Sequence, residues 1–101
     1  MHIKIDKVCD TILSQAHGLM FSRPKIVLFV FKKEKRIAIH TWFVFFPITL
    51  LFLDKSRQVT EIKTLKPWSA YRSKTKVQWL LEIPNNTKEF SIGQKIEYKM
   101  K

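Results

Sequence analysis

Trp68, Tyr71 and Trp79 stand among Lys63, Lys66, Arg72, Lys74 and Lys76, and no acid interrupts residues 62–81. Aromatic rings interleaved with cations suit an anionic ligand that has flat groups to stack: the cations neutralise phosphates and the rings take bases. The plainer reading is two anchoring aromatics beneath a solvated loop. His40 is the other residue with chemistry in it. It lies beside Trp42 in a long apolar stretch, where an imidazole can act as a base or line a pocket. The competing reading is a histidine satisfied by a backbone carbonyl beside a core tryptophan. A catalytic role for His40 needs a carboxylate, and Asp54 or Glu82 could serve only if the fold brings distant strand ends together. Glu82, between Leu81 and Ile83, points away from both on a strand and is expected to be solvent-facing or salt-bridged.

Other chemistries are poorly supplied. The chain has two glycines, Gly18 and Gly93, too few and too far apart for a glycine-rich phosphate loop. Cys9 is the single cysteine, so no intrachain disulfide forms. One thiol and three scattered histidines do not make a zinc signature. No serine or cysteine lies in a nucleophile motif. The patterns support no specific enzyme, no cofactor and no metal site.

The 101 residues make one domain, residues 1–101. Nineteen Lys and Arg against eight Asp and Glu leave a net charge of +11. That excess favours anionic partners, nucleic acid among them, or serves only solubility. The first ten residues contain no apolar stretch and do not read as a signal peptide, so a cytoplasmic location is expected. Residues 37–53 are apolar enough to be tested as a membrane span. Pro47, the polar His40, Thr41 and Thr49, and the β-branched and aromatic content favour two buried strands hinged at Pro47 instead.

The elements that must position these residues are short. Residues 1–6, 25–31, 36–45, 48–53, 58–65, 77–83 and 95–99 read as strands. Residues 32–35 read as a charged turn and 66–76 as loop. Asp54 suits the first position of a tight turn, because its carboxylate can accept nearby backbone N–H groups. Asp10 or Thr11 can cap a short helix carrying Ile12, Leu13 and Ala16 and stopped by Gly18, and Thr87 can cap a single helical turn. The expectation is a predominantly β, α+β domain: an antiparallel sheet curled into a small barrel, with one or two short helices. A monomer is expected, or a weak dimer through the exposed first and last strands.

Several segments, in order, resemble a known family. They are His17-Gly18-Leu19-Met20-Phe21, Phe46-Pro47-Ile48 followed by Phe52-Leu53-Asp54, Leu81-Glu82-Ile83-Pro84, and Ile92-Gly93. The chain resembles the domain of unknown function 192 family, also called uncharacterised protein family 0127, in its shorter archaeal form. The resemblance implies a compact β-rich domain with one short helix before the Gly-Leu-Met segment, and no settled activity. It also exposes departures. Ser22 and Arg23 stand where the family pattern has an arginine directly after Phe21. Thr49 replaces an acid, Asn85-Asn86 stands where glycine is common, and Gln94 replaces another acid. The ligand-binding candidates are Arg23, His40, Trp42, Trp68, Tyr71, Arg72 and Lys74, in a binding module with an aromatic cleft and a basic rim. Sequence-tolerant nucleic-acid binding by residues 62–81 and an enzyme using His40 are the alternatives.

Overall fold

The computed structural model describes residues 2–9, 25–42 and 44–100. The strands are β1 (His2–Ile5), β2 (Lys7–Cys9), β3 (Val27–Lys35), β4 (Ala38–His40), β5 (Ile48–Leu53), β6 (Val59–Leu65), β7 (Ala70–Arg72), β8 (Val77–Pro84) and β9 (Glu97–Met100). They form a five-stranded sheet in the order β2-β3-β8-β5-β6 and two separate ribbons, β1-β9 and β4-β7. β1-β9 and β2-β3 are parallel; the other pairings are antiparallel.

Apolar residues run almost without a break along β5 and β8, and that fixes their place. Every residue of β5 is buried. Such strands need cover on both faces. On one face Val27, Phe29, Leu50, Phe52 and Leu80 pack with Ile37, Val44 and Val77 beneath the β4-β7 ribbon. On the other, Leu28, Leu51, Leu53, Leu81 and Ile83 pack against Ile3, Ile5 and Ile96 of the β1-β9 ribbon and its approach.

Several expectations are corrected. The sheet does not close into a barrel: β2 and β6 are its two edges, and the ribbons are separate sheets. No helix is present among the described residues. The helix expected over 10–17 lies outside them. The turn expected to start at Thr87 is not helical, because the Asn86 amide donates to the Lys88 carbonyl at 2.7 Å and accepts the Lys88 N–H at 3.1 Å. That local ring competes with a helical turn. The charged residues 32–35 continue β3 past a register shift between Val30 and Lys35. Residues 36–45 do not form a central strand. Only Ala38–His40 is extended, paired with β7 inside the stretch expected to be loop. Thr41 breaks the strand by diverting its hydrogen bonds to residues 66–69, as described below.

Two left-handed residues close turns. The Asp54 carboxylate accepts the Ser56 and Gln58 N–H groups at 2.8 and 3.1 Å, allowing Arg57 its φ of 63°. Asn85, where the family pattern has glycine, adopts φ 49°. Asparagine is among the few side-chain-bearing residues that take this conformation readily.

Phe52 lies fully buried at the centre of the sheet, its ring 5.9 Å from that of Tyr71. Phe52→Ala is expected to lower the unfolding free energy by about 3–5 kcal/mol, read from urea denaturation midpoints.

Candidate functional site

Thr41 is fully buried and builds the site. Its hydroxyl donates to the Lys66 carbonyl at 2.7 Å and accepts the Ser69 N–H at 2.7 Å. Its own N–H donates to the Ser69 carbonyl at 2.8 Å, and its carbonyl accepts the Trp68 N–H at 3.0 Å and the Val44 N–H at 3.2 Å. One threonine therefore fastens residues 41–44 to the 66–69 turn. Ser73, also buried, closes the other end of the ribbon. Its hydroxyl accepts the Ile37 N–H at 2.9 Å and its own N–H donates to the Ile37 carbonyl at 2.8 Å.

Between these clamps the strands alternate. Ile39 and Tyr71 turn inward onto the core. Ala38, His40, Ala70 and Arg72 face outward, paired Ala38 with Arg72 and His40 with Ala70. Beyond His40 the clamped loops hold up large aromatics: Trp42 is 51% exposed, Trp68 54% and Phe45 67%. The His40 imidazole stacks on Trp42 with ring centres 4.7 Å apart and 27° between planes. Its Nδ1 accepts the Trp42 N–H at 3.3 Å. Phe45 meets Trp68 edge to face at 6.4 Å.

Trp68 carries a second mark. It follows Pro67 in the turn, with φ of +60°. The residue after proline in such a turn is usually glycine, because a side chain there is strained. A half-exposed tryptophan is thus kept in a glycine conformation. Strain of this kind persists only where surrounding structure fixes it, and it concentrates at binding and catalytic sites.

Of the predicted site residues, His40, Trp42, Trp68 and Arg72 fall on this ribbon and its loops. Arg23 lies outside the described residues. Tyr71 does not join the exposed patch. Its ring packs inward, its hydroxyl donates to Glu61, and Lys63 lies over the ring at 5.4 Å. Lys74 is exposed, with its N–H bound to the same Glu61 carboxylate at 2.9 Å. Burial works to raise the Glu61 pKa, but the hydrogen bonds from Tyr71, Lys74 and Thr75 outweigh it and hold the group below its ordinary value. Phe45 and Thr41 were missed, and Lys66, though one of the cations of residues 62–81, was not among the ligand-binding candidates. The Pro67-Trp68 pair was the available signal, since proline at the second position of a turn puts the next side chain outside.

The carboxylates offered to His40 are engaged elsewhere. Asp54 is tied into its own turn. Glu82 is neither solvent-facing nor salt-bridged to a described residue. β8 is covered on both faces, so alternation carries Glu82 into the core between Val27 and Leu50. Burial pushes its carboxyl up to about 8. Among the described residues no group of three or more His, Cys, Asp and Glu side chains could hold a metal ion. A pocket of about 150 Å³ between Ile3, Ile26, Ile83 and Phe90, rimmed by Asn86 and Lys88, contains none of the predicted site residues.

The fold and these segments define a small open-sheet β domain, and comparison with known proteins identifies its class. Residues 3–98 match the domain of unknown function 192 family, described as Uncharacterized ACR, and the chain belongs to that family. It is 35% identical over 98 residues to a UPF0127 protein of Pyrococcus horikoshii, spanning 91% of this chain and 85% of the relative. It is 29% identical over 102 residues to one of Thermococcus sibiricus, spanning 93% of this chain and 66% of the relative. Two crystal structures share the fold, each with a TM-score of 0.70 over 76% of this chain. One is a proposed transcription regulator of Sinorhizobium meliloti, 21% identical and matched over 65% of its length. The other is a protein of unknown function of Novosphingobium aromaticivorans, 20% identical and matched over 60%.

Two measurements test this geometry. Thr41→Val strips the Ser69 N–H and Lys66 carbonyl of their buried partner and is expected to cost about 1–3 kcal/mol of unfolding free energy. Trp68→Gly relieves a conformation that costs a non-glycine residue about 1–2 kcal/mol, while losing the Phe45 contact and loosening the unfolded chain. Its net change in urea unfolding is expected to stay within about 1 kcal/mol.

For Glu82 the sign runs against the usual carboxylate. With the folded pKa raised from 4.5 to about 8, the folded state keeps a proton that the unfolded chain releases. Stability therefore falls as pH rises across that window, by up to about 1.4 kcal/mol per unit. Denaturation midpoints collected between pH 5 and 8 should slope downward in the parent and lose most of that slope in Glu82→Gln.

Proposed function

We propose that this protein is a binding module, without catalysis of its own, that engages an anionic ligand or partner through the exposed aromatics of the β4-β7 ribbon and its two loops. The observation that carries the reading is the rigid display of Trp42, Phe45 and Trp68 on backbone clamped by Thr41. Large aromatics are the side chains that most often dominate binding energy at contact surfaces. A tryptophan kept in a strained turn, where glycine would cost less, supports a role outside folding.

Charge supports the anionic part. No acid occurs between Glu34 and Asp54 or between Glu61 and Glu82, the two stretches that supply the ribbon and loops. Lys63, Lys66, Arg72 and Lys74 in the second stretch are all exposed. The enzyme alternative has less support. The Nδ1 of His40 is occupied by a neighbouring N–H, and neither Asp54 nor Glu82 is among its contacts.

The indole N–H signals of the ¹⁵N-labelled protein test the reading. Titration with a panel of anions is expected to move the Trp42 and Trp68 signals while that of half-buried Trp79 stays still. The panel holds heparin fragments, an oligonucleotide and vesicles containing phosphatidylglycerol. Trp42→Ala combined with Trp68→Gly should weaken the responding interaction at least about tenfold, one aromatic anchor being worth about 1–3 kcal/mol. A panel that leaves both signals unmoved overturns the proposal.

A further inference from the structure

We infer that the ligand of this surface is single-stranded nucleic acid, its bases stacked on Trp42 and Trp68 and its phosphates held by Arg72 and Lys66. The inference rests on the binding reading above and narrows it to one chemistry.

Among the described residues, the exposed apolar groups of the ribbon and its loops are mostly rings, with the methyls of two alanines. Ile39 and Val44, the aliphatic side chains of the same segments, turn inward to the core. Among the described residues, those left outside are Trp42, Phe45, Pro47, Trp68, the His40 imidazole, and Ala38 and Ala70. A surface made to enter a bilayer draws on aliphatic side chains as well as rings. Among the described residues of this surface the rings come without them, and the His40–Trp42 pair already shows the face-to-face arrangement that a heterocycle adopts on this indole.

The outward face of the ribbon extends the same chemistry. Ala38 and Ala70 are small, so they leave a low shelf with His40 at one corner and Arg72 diagonally opposite. A strand whose bases lie on the rings can run its backbone along that shelf to the Arg72 guanidinium. Lys66 is exposed at the start of the Trp68 turn. A cationic track beside flat hydrophobic faces is how proteins hold single strands without regard to sequence, since every base offers a π-face. A duplex has its faces already stacked and offers phosphates alone. The two stretches that provide these residues carry no acid, and the Glu61 carboxylate, which lies next to the ribbon, is engaged by the Tyr71 hydroxyl and the Lys74 and Thr75 N–H groups.

The test compares a ten-nucleotide oligothymidylate with heparin of matched charge and with phosphatidylglycerol vesicles, on the full chain. The oligonucleotide is expected to move the Trp42 and Trp68 indole signals and to bind at least about tenfold more tightly than heparin at 50 mM salt. Trp68→Gly and Trp42→Ala should each weaken it about tenfold, base stacking being worth about 1–3 kcal/mol. The logarithm of its affinity should fall with that of salt, with a slope of about −0.7 per phosphate contact, and Arg72→Gln should reduce the slope by about one contact. Oligonucleotide and heparin binding alike, both indifferent to Trp68→Gly, would overturn the inference. So would vesicles or heparin moving the two signals while the oligonucleotide does not, an outcome that leaves the binding module standing. Silence from every probe overturns both.

Discussion

Strands β5 and β8 are apolar on both faces, and 101 residues must cover them twice. A sheet in this position is usually sheathed by helices. Among the described residues the covers are instead two-stranded ribbons, one on each side. A ribbon buries one row of side chains and presents the other to solvent, since neighbours along a strand point to opposite faces. The need to close the core therefore creates the outward face of β4-β7. Ile39 and Tyr71, opposite each other, meet the core, and the residues on either side of them along each strand have no choice but to face out.

Two three-residue strands hold together poorly by themselves, and isolated hairpins are marginal in water. Buried hydroxyls supply what length does not. Thr41 and Ser73 each bond backbone groups across the ribbon, one at either end. These bonds are worth more for being sheltered, because the groups they satisfy would otherwise be left without partners in a dry interior. The aromatics beyond Thr41 inherit this order. They stand exposed on backbone that is held in place, which is what makes a contact surface effective: little freedom remains to be lost on binding.

Much of the sheet was readable in the sequence. Residues 48–53, 59–65 and 77–83 are apolar or alternating runs of strand length, and they pair as strands. Of the short ribbon, β4 fell inside residues 36–45, read as one longer strand, while β7 and the pairing itself were hidden for a physical reason. Ala38–His40 and Ala70–Arg72 carry too few apolar residues to show a period, and each is extended only because the other lies opposite. Partners thirty residues apart leave no local trace. Residues 32–35 misled in the opposite sense: a run of charges reads as a turn, yet a strand that overhangs its sheet keeps charged side chains in water. Glu82 followed the alternation rule and still ended in the core, because the rule assumes one wet face and β8 has none. The aromatics were found through the cations among them. Their exposure was not, because it depends on Thr41, and a threonine inside an apolar run gives no sign that its hydroxyl will bridge two loops.

The pairing of β1 with β9 sets the order in which the molecule can be finished. His2 lies opposite Glu97 and Ile5 opposite Met100, so one ribbon joins residues about ninety-five positions apart. Ile3 and Ile5 are buried with that ribbon in place. Synthesis runs from β1 toward β9, and contacts between such distant residues are entropically the last to be gained. Throughout elongation, then, one apolar face of the sheet stays open to whatever lies nearby. A small protein with this topology meets its greatest hazard of sticking to neighbours while it is still being made, and that hazard falls when β9 docks.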